Sequence, residues 1–297
     1  MKSIGIIGTG HIGSLLAKKL VETGVVGPQE LCAANRTPEK LNKLAKESGI
    51  TPCKDNIGVA KASDIIFVCV RPAEAKAVIA EIKPALTPQK LIISTVSDVK
   101  LADLKAWSGI DCVRIIPSVT SEYDRGVMVI SFPDGIGDAV KESVMRLFEK
   151  FSLPYVTAEE NISALSDLTS SSPAIIAAVI QEFAKAASEM SNGRIPLSDA
   201  EELIRETLSG TAVLLDKLSQ RNAVQSGKTA NLKTPVKSPV TSSVESPFDI
   251  LIESVATKGG ITAEGVVAVR ETAPELYGKV LTNMQNKHKK VEQSLKN

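Results

Sequence analysis

The chain has 297 residues, of which 35 are basic and 34 acidic, for a formal net charge of +1; no overall field draws it to nucleic acid or to an anionic membrane surface. Aromatic residues make up 3% of it, too few for a base-stacking platform, and its uninterrupted apolar runs fall far short of the roughly 20 residues that a membrane span needs. The length predicts two domains with a large core. The first strand begins almost at the N-terminus, which leaves no room for a leader, so the cytoplasm is the expected location.

In chain order, apolar runs and helical spacing alternate. Strands are expected at 3–7, 30–34, 64–70, 90–95, 111–116 and 126–131, and helices at 12–23, 38–48, 73–85, 99–107 and 135–151. This alternation predicts a Rossmann-type doubly wound parallel sheet as a first domain over residues 1–156, with its ligand crevice at the carboxyl ends of the strands. The first strand runs into Gly8-Thr9-Gly10-His11-Ile12-Gly13, followed by Leu15, Leu16 and Leu20 at helical spacing. That is the fingerprint of a dinucleotide site: a tight turn at the first Gly, close approach of backbone to pyrophosphate at the second, and helix–strand packing at the third. The helix N-terminus supplies unpaired N–H groups and partial positive charge. The bland alternative is a glycine turn in a fold that holds no ligand.

The second strand ends in Asn35-Arg36-Thr37. An NAD site places a carboxylate there for the ribose 2′-hydroxyl; Asn and Arg remove it and offer a guanidinium to a 2′-phosphate, which points to NADP(H). Val70-Arg71-Pro72, Thr95–Asp98 and Pro117–Thr120, with Ser118 among them, fall at other strand ends and are expected to share the crevice. The four cysteines lack any paired spacing and read as small, reduced core residues, with no metal site. His11 is expected to line the cofactor and His288 to lie in a basic, solvated terminal helix.

After Pro154 the texture turns helical. Thr157-Ala158-Glu159-Glu160 has the form of a capping box, and helices are expected over 158–190, 197–219, 247–257 and 262–294, with no further strand. A second, all-helical domain over 157–297 follows. Its long faces of Ala, Leu, Ile and Val call for a partner, hence a homodimer, and a ring of dimers would extend it. Residues 220–246 are dominated by Ser, Thr, Pro, Lys, Asn, Val and Gln and read as a flexible insertion rather than a lid. Gly259-Gly260 followed by Thr262 at a helix start is either a nest of N–H donors for a carboxylate or an ordinary helix N-terminus.

In order, these segments resemble the pyrroline-5-carboxylate reductase family over nearly the whole chain. Val70-Arg71-Pro72 stands where the family has Val-Lys-Pro, and Ile116-Pro117-Ser118 where it has Met-Pro-Asn. The stretch Ala164–Ala174 resembles its Leu-Ser-Gly-Ser-Gly-Pro-Ala segment, and Val255–Gly265 its Val-x-Ser-Pro-Gly-Gly-x-Thr signature. Ser170-Ser171-Ser172 in place of glycines, Lys258 in place of proline and Ser118 in place of asparagine mark a divergent branch, similar to the reductase-like proteins of bacterial competence operons. The resemblance implies reduction of a cyclic imino acid by NADPH, 1-pyrroline-5-carboxylate to L-proline. It implies Thr262 at the ring nitrogen, Thr257, Gly259 and Gly260 at the carboxylate, and Ser171 and Ser172 in the pocket wall. Lys258 either adds a cation there or points to solvent. Asp167 and Glu264 read as solvated or capping carboxylates rather than acid catalysts. Two other readings stay open: a reductase of another imine or 2-oxo acid, and an NADP-binding regulatory or assembly protein without turnover.

Overall fold

The computed structural model describes residues 3–225 and 245–296. They form two compact units: residues 3–171 with 284–296, and residues 172–225 with 245–283. The first carries one eight-stranded sheet in the order β3-β2-β1-β4-β5-β6-β7-β8. Its strands are β1 (Ile4–Ile7), β2 (Leu31–Ala34), β3 (Thr51–Pro52), β4 (Ile65–Val68), β5 (Leu91–Ser94), β6 (Cys112–Pro117), β7 (Gly126–Ser131) and β8 (Ser152–Val156). The helices between them are α1 (His11–Glu22), α2 (Pro38–Ser48), α3 (Asn56–Ala62), α4 (Pro72–Ile82), α5 (Leu101–Ser108) and α6 (Asp138–Arg146).

The order 3-2-1-4-5-6 is that of the doubly wound dinucleotide fold, with the strand order reversing between β1 and β4. The inner strands are apolar on both faces because helices cover both. Ile4 and Ile6 join Leu31, Ile65, Phe67 and Ile93 in one core cluster, whereas Ile7 joins Ile66, Val68 and Ile92 in the other. Such strands read as continuous hydrophobic runs, which is why the inner ones are plain in the sequence.

The sheet is not wholly parallel, as the alternation predicted. β7 runs antiparallel to β6, and β8 is parallel to β7. Only the short turn Val119–Tyr123 and its flanks join β6 to β7, and a parallel partner would need a crossover of a dozen residues or more. The strands β3 and β8 and the helix α3 escaped the sequence reading. Both strands lie at sheet edges and carry prolines, Pro52 and Pro154; a proline there costs no ladder hydrogen bond and discourages further pairing.

After β8 come α7 (Ile162–Ser166) and a widened π turn over Asp167–Ser171, which close the first unit, and then α8 (Ser172–Met190), α9 (Leu197–Gln225), α10 (Pro247–Val255) and α11 (Ile261–Lys296), the last of which returns to the first unit at residue 284. The expected helix over 158–190 is thus interrupted. Nor does the capping box close: Thr157 Oγ1 accepts from Asn161 Nδ2 at 3.3 Å, and the turn Glu159–Asn161 starts on Ala158 without a side-chain cap. Most of the expected insertion at 220–246 lies outside the described residues; Gln220–Gln225 continue α9, and Ser246 caps α10 by accepting from the Phe248 N–H at 3.2 Å. The expectation of short apolar runs needs one correction. Glu159–Met190 is long and apolar enough, by length and composition, to cross a bilayer.

Candidate active site

The glycine turn is built as its spacing predicts. Gly8 has φ +92°, and a Cβ there would stand 2.5 Å from the Cys69 carbonyl oxygen, so both backbone shape and the closeness of β4 exclude a side chain. A Cβ at Gly13 would collide with the Gly8 carbonyl oxygen, whereas one at Gly10 would meet nothing within 4 Å. Gly10 is the N-cap of α1 and has no side-chain cap. Open space therefore stands over a helix N-terminus, the setting for a phosphate.

Asn35 braces this turn. Its Oδ1 accepts from the Thr9 N–H at 3.1 Å and its Nδ2 donates to the Thr37 carbonyl at 3.0 Å, tying the end of β2 to the loop after β1. Ser14 Oγ donates to the Thr9 carbonyl at 3.1 Å, while the buried Thr9 hydroxyl has no partner.

Gly8, Gly10, Asn35, Arg36, Thr37, Val70 and Arg71 come together around one cavity of about 810 Å³. Thr9 and His11 line an adjoining hollow of about 460 Å³, which shares Gly10 and Lys40 with the first. Ile12 packs against the core, and Pro72 is the first residue of α4. Ser118 lies buried, its hydroxyl engaged with Thr120 Oγ1 at 2.8 Å. Arg36 is 86% exposed and paired with Glu74 at 2.9 Å; Glu74 also accepts from the Arg71 N–H at 3.4 Å.

The Gly-Gly segment, in the helical unit, forms a turn. The Gly260 N–H donates to the Thr257 carbonyl at 2.9 Å, Gly259 has φ +74°, and a Cβ at Gly260 would lie 2.8 Å from Thr257 Oγ1. α11 starts directly after it, so Thr262 sits in its first turn, and Thr257, Lys258, Gly259 and Thr262 are exposed. Of the serines, Ser170 donates to the Pro117 carbonyl at 3.0 Å. Ser171 ends the π turn and Ser172 opens α8; both are half-buried.

A family model described as pyrroline-5-carboxylate reductase dimerisation matches residues 159–291, and one described as NADP oxidoreductase, coenzyme F420-dependent, matches residues 3–98. A pyrroline-5-carboxylate reductase of Methanobrevibacter smithii is 30% identical, over 89% of this chain and 95% of that protein. The chain belongs to the pyrroline-5-carboxylate reductase family. ComE operon protein 4 of Bacillus subtilis is 27% identical over 98% of this chain and 96% of its own length. Among solved structures, a Plasmodium falciparum pyrroline carboxylate reductase with NADP bound superposes with a TM-score of 0.74 at 19% identity, over 98% of this chain and 97% of that one.

Two residues of this family member sit where the sequence did not put them. Asp167 is buried, not solvated, and His288, 22% exposed, is not on a solvated face. His288 Nε2 lies 2.9 Å from Asp167 Oδ1 and Nδ1 lies 3.0 Å from Asp98 Oδ1. With a carboxylate on each ring nitrogen, both nitrogens serve best as donors, the charged imidazolium. Partial burial opposes that charge, but the hydrogen bonds and charges of Asp167 and Asp98 outweigh it and raise the His288 pKa above its usual 6.5. Sequence carried no signal for these contacts, since the partners lie 121 and 190 residues apart. A second missed pair did leave one: Arg114 stands inside the apolar strand β6. Its Nη1 meets Glu159 Oε1 at 2.7 Å, which also accepts from the Leu101 N–H at 2.7 Å. The cysteines are free, as expected, and burial pushes the Cys112 thiol up to about 11.

Proposed function

We propose that this chain reduces 1-pyrroline-5-carboxylate to L-proline with NADPH. The observation that carries the reading is the turn Thr257–Gly260 at the head of α11, where a left-handed Gly259 leads the chain into a helix N-terminus, the setting that suits a carboxylate. Gly259, Gly260 and Thr257 hold the carboxylate of the imino acid, Lys258 adds a cation beside it, and the Thr262 hydroxyl orients the ring nitrogen. Ser171 and Ser172 shape the pocket wall.

The residues of the first unit fit a dinucleotide. The unfilled space at Gly10 lies over the helix start where a pyrophosphate would bind, and Arg36, at the end of β2, is the residue a ribose 2′-phosphate would meet. His11, Ile12, Gly13, Val70, Arg71, Pro72 and Ser118 complete the cofactor region in this reading. NADPH supplies the hydride; the protein orients the acceptor and stabilises charge. No strong general base is required, because an iminium substrate is already electrophilic.

The helical unit is proposed to pair with a second copy rather than with a membrane, in the cytoplasm. Its exposed Phe183, Leu203, Leu214 and Val267 form apolar surface of the kind buried in homodimers. A mass twice that of one chain by light scattering, without detergent, is the expected result.

The decisive measurement is NADPH oxidation with racemic pyrroline-5-carboxylate, run beside NADH and beside 2-oxo acids. Saturable NADPH binding without oxidation on any imine would leave a cofactor-binding protein and sink the enzyme. Thr262→Ala should lower kcat by about 10²-fold if the hydroxyl supports the ring nitrogen, with NADPH affinity unchanged.

A further inference from the structure

Arg36 does not stand free. It follows β2, whereas Glu74 lies in the first turn of α4, behind β4, and the two meet at 2.9 Å between Nη1 and Oε1. Their side chains differ in exposure and in the number of their contacts. Glu74, at 35% exposure, spends its other oxygen on the Arg71 N–H at 3.4 Å, an N-terminal capping contact. Arg36, at 86%, has this ion pair as its one head-group contact among the described residues. The anchored carboxylate therefore holds the exposed guanidinium.

The pair stands on the rim of the cavity that also carries Gly8, Gly10 and Asn35. Around that cavity Arg36, Lys40, Lys54 and Arg71 are opposed by Asp55, Glu74 and Glu81, so the positive field is slight. A phosphate arriving at Arg36 finds one donor already occupied and a carboxylate within hydrogen-bonding distance of it. A dinucleotide without that phosphate makes no demand on the pair.

We propose that Glu74 is a specificity-determining residue: it competes with the 2′-phosphate for Arg36 and sets how strongly this protein prefers the phosphorylated dinucleotide. The proposal rests on the reading of Arg36 as the 2′-phosphate ligand. Binding exchanges one partner of Arg36 for another, and the doubly charged phosphate wins because its charge-assisted bonds are stronger than an exposed carboxylate pair. Glu74 thereby lowers affinity for NADPH and leaves NADH untouched.

The test is calorimetric titration of the full-length protein with 2′,5′-ADP and with 5′-AMP, which differ in the phosphate alone. Glu74→Gln removes the charge and keeps an acceptor for the Arg71 N–H, so the α4 cap survives. Its Kd for 2′,5′-ADP is expected to fall about threefold to fivefold, the scale of an exposed ion pair, with 5′-AMP unchanged as the control for an intact fold. Arg36→Ala should weaken 2′,5′-ADP by about tenfold or more and abolish the gain from Glu74→Gln in the double variant. Unchanged or weaker 2′,5′-ADP binding in Glu74→Gln overturns the competition while leaving Arg36 in place. A gain that persists in full without Arg36 overturns it too, as general repulsion. If Arg36→Ala alone leaves 2′,5′-ADP binding intact, the phosphate reading itself fails.

Discussion

The two halves of this chain solve the burial problem differently. In the sheet unit every inner strand is covered on both faces, and Phe67, Phe148 and Phe151 are wholly enclosed, in edge-to-face contact at centroid distances of 6.2 and 6.1 Å. In the helical unit Ala184 and Ala200 are the buried apolar residues among those described, while Phe183 is 61% exposed. A doubly wound sheet closes its own core. The long helices α8, α9 and α11 present apolar residues that the described chain leaves exposed, the surface on which the proposed pairing with a second copy would act.

Paired substitutions break or sharpen that contrast. Phe148→Ala should cost about 3–5 kcal/mol, the scale for deleting an enclosed aromatic, and the loss should be independent of protein concentration in denaturant titrations. Phe183→Ala should cost the single chain about 0.5 kcal/mol or less, yet make the melting temperature depend more steeply on concentration, as weakened association does. Equal, concentration-independent losses would erase the distinction.

Within the sheet unit, Gly8→Ala tests whether the turn is shaped for backbone reasons. With φ at +92° and the Cys69 carbonyl 2.5 Å from the new Cβ, a penalty of about 1–3 kcal/mol is expected, together with lost dinucleotide binding. Gly10→Ala, where the Cβ meets nothing, should leave stability within about 0.5 kcal/mol and still impair binding. That separation of stability from binding marks the second glycine as the one that faces a ligand.

What the sequence made legible follows the same divide. Strands buried on both faces announce themselves, as β1, β2, β4, β5 and β6 did, and glycines with a steric duty keep their spacing. The edge strands β3 and β8 stayed hidden because their prolines, allowed at an edge, look like breaks. The π turn at Asp167–Ser171 was invisible because a bulge preserves the apolar composition on which periodicity rests. Arg36 and Asn35 were legible as residue types, but their partners were not: Asn35 braces the glycine turn and Arg36 is held by Glu74, contacts set by the sheet's topology rather than by spacing.

His288 sharpens the comparison at its smallest scale, since it lies on the last stretch of α11, which belongs to the sheet unit rather than the helical one. There its ring joins Asp98, after β5, to Asp167 in the π turn. Folding raises its pKa, so the native state binds this proton more tightly than the unfolded chain does. The stabilisation is then fully present below the unfolded value of 6.5 and is lost as pH rises through the folded pKa, the sign that linkage requires. Lys100, Arg114, Glu159, Glu160 and Glu292 line a cavity together with Asp98, and are the charged groups that surround it there. Denaturant titrations of the wild type and of His288→Gln from pH 6 to 9 should converge as pH rises, the wild type losing its small advantage. Parallel curves across that range would mean that the ring is held neutral, and that the end of α11 is fastened to the sheet unit by its packing alone.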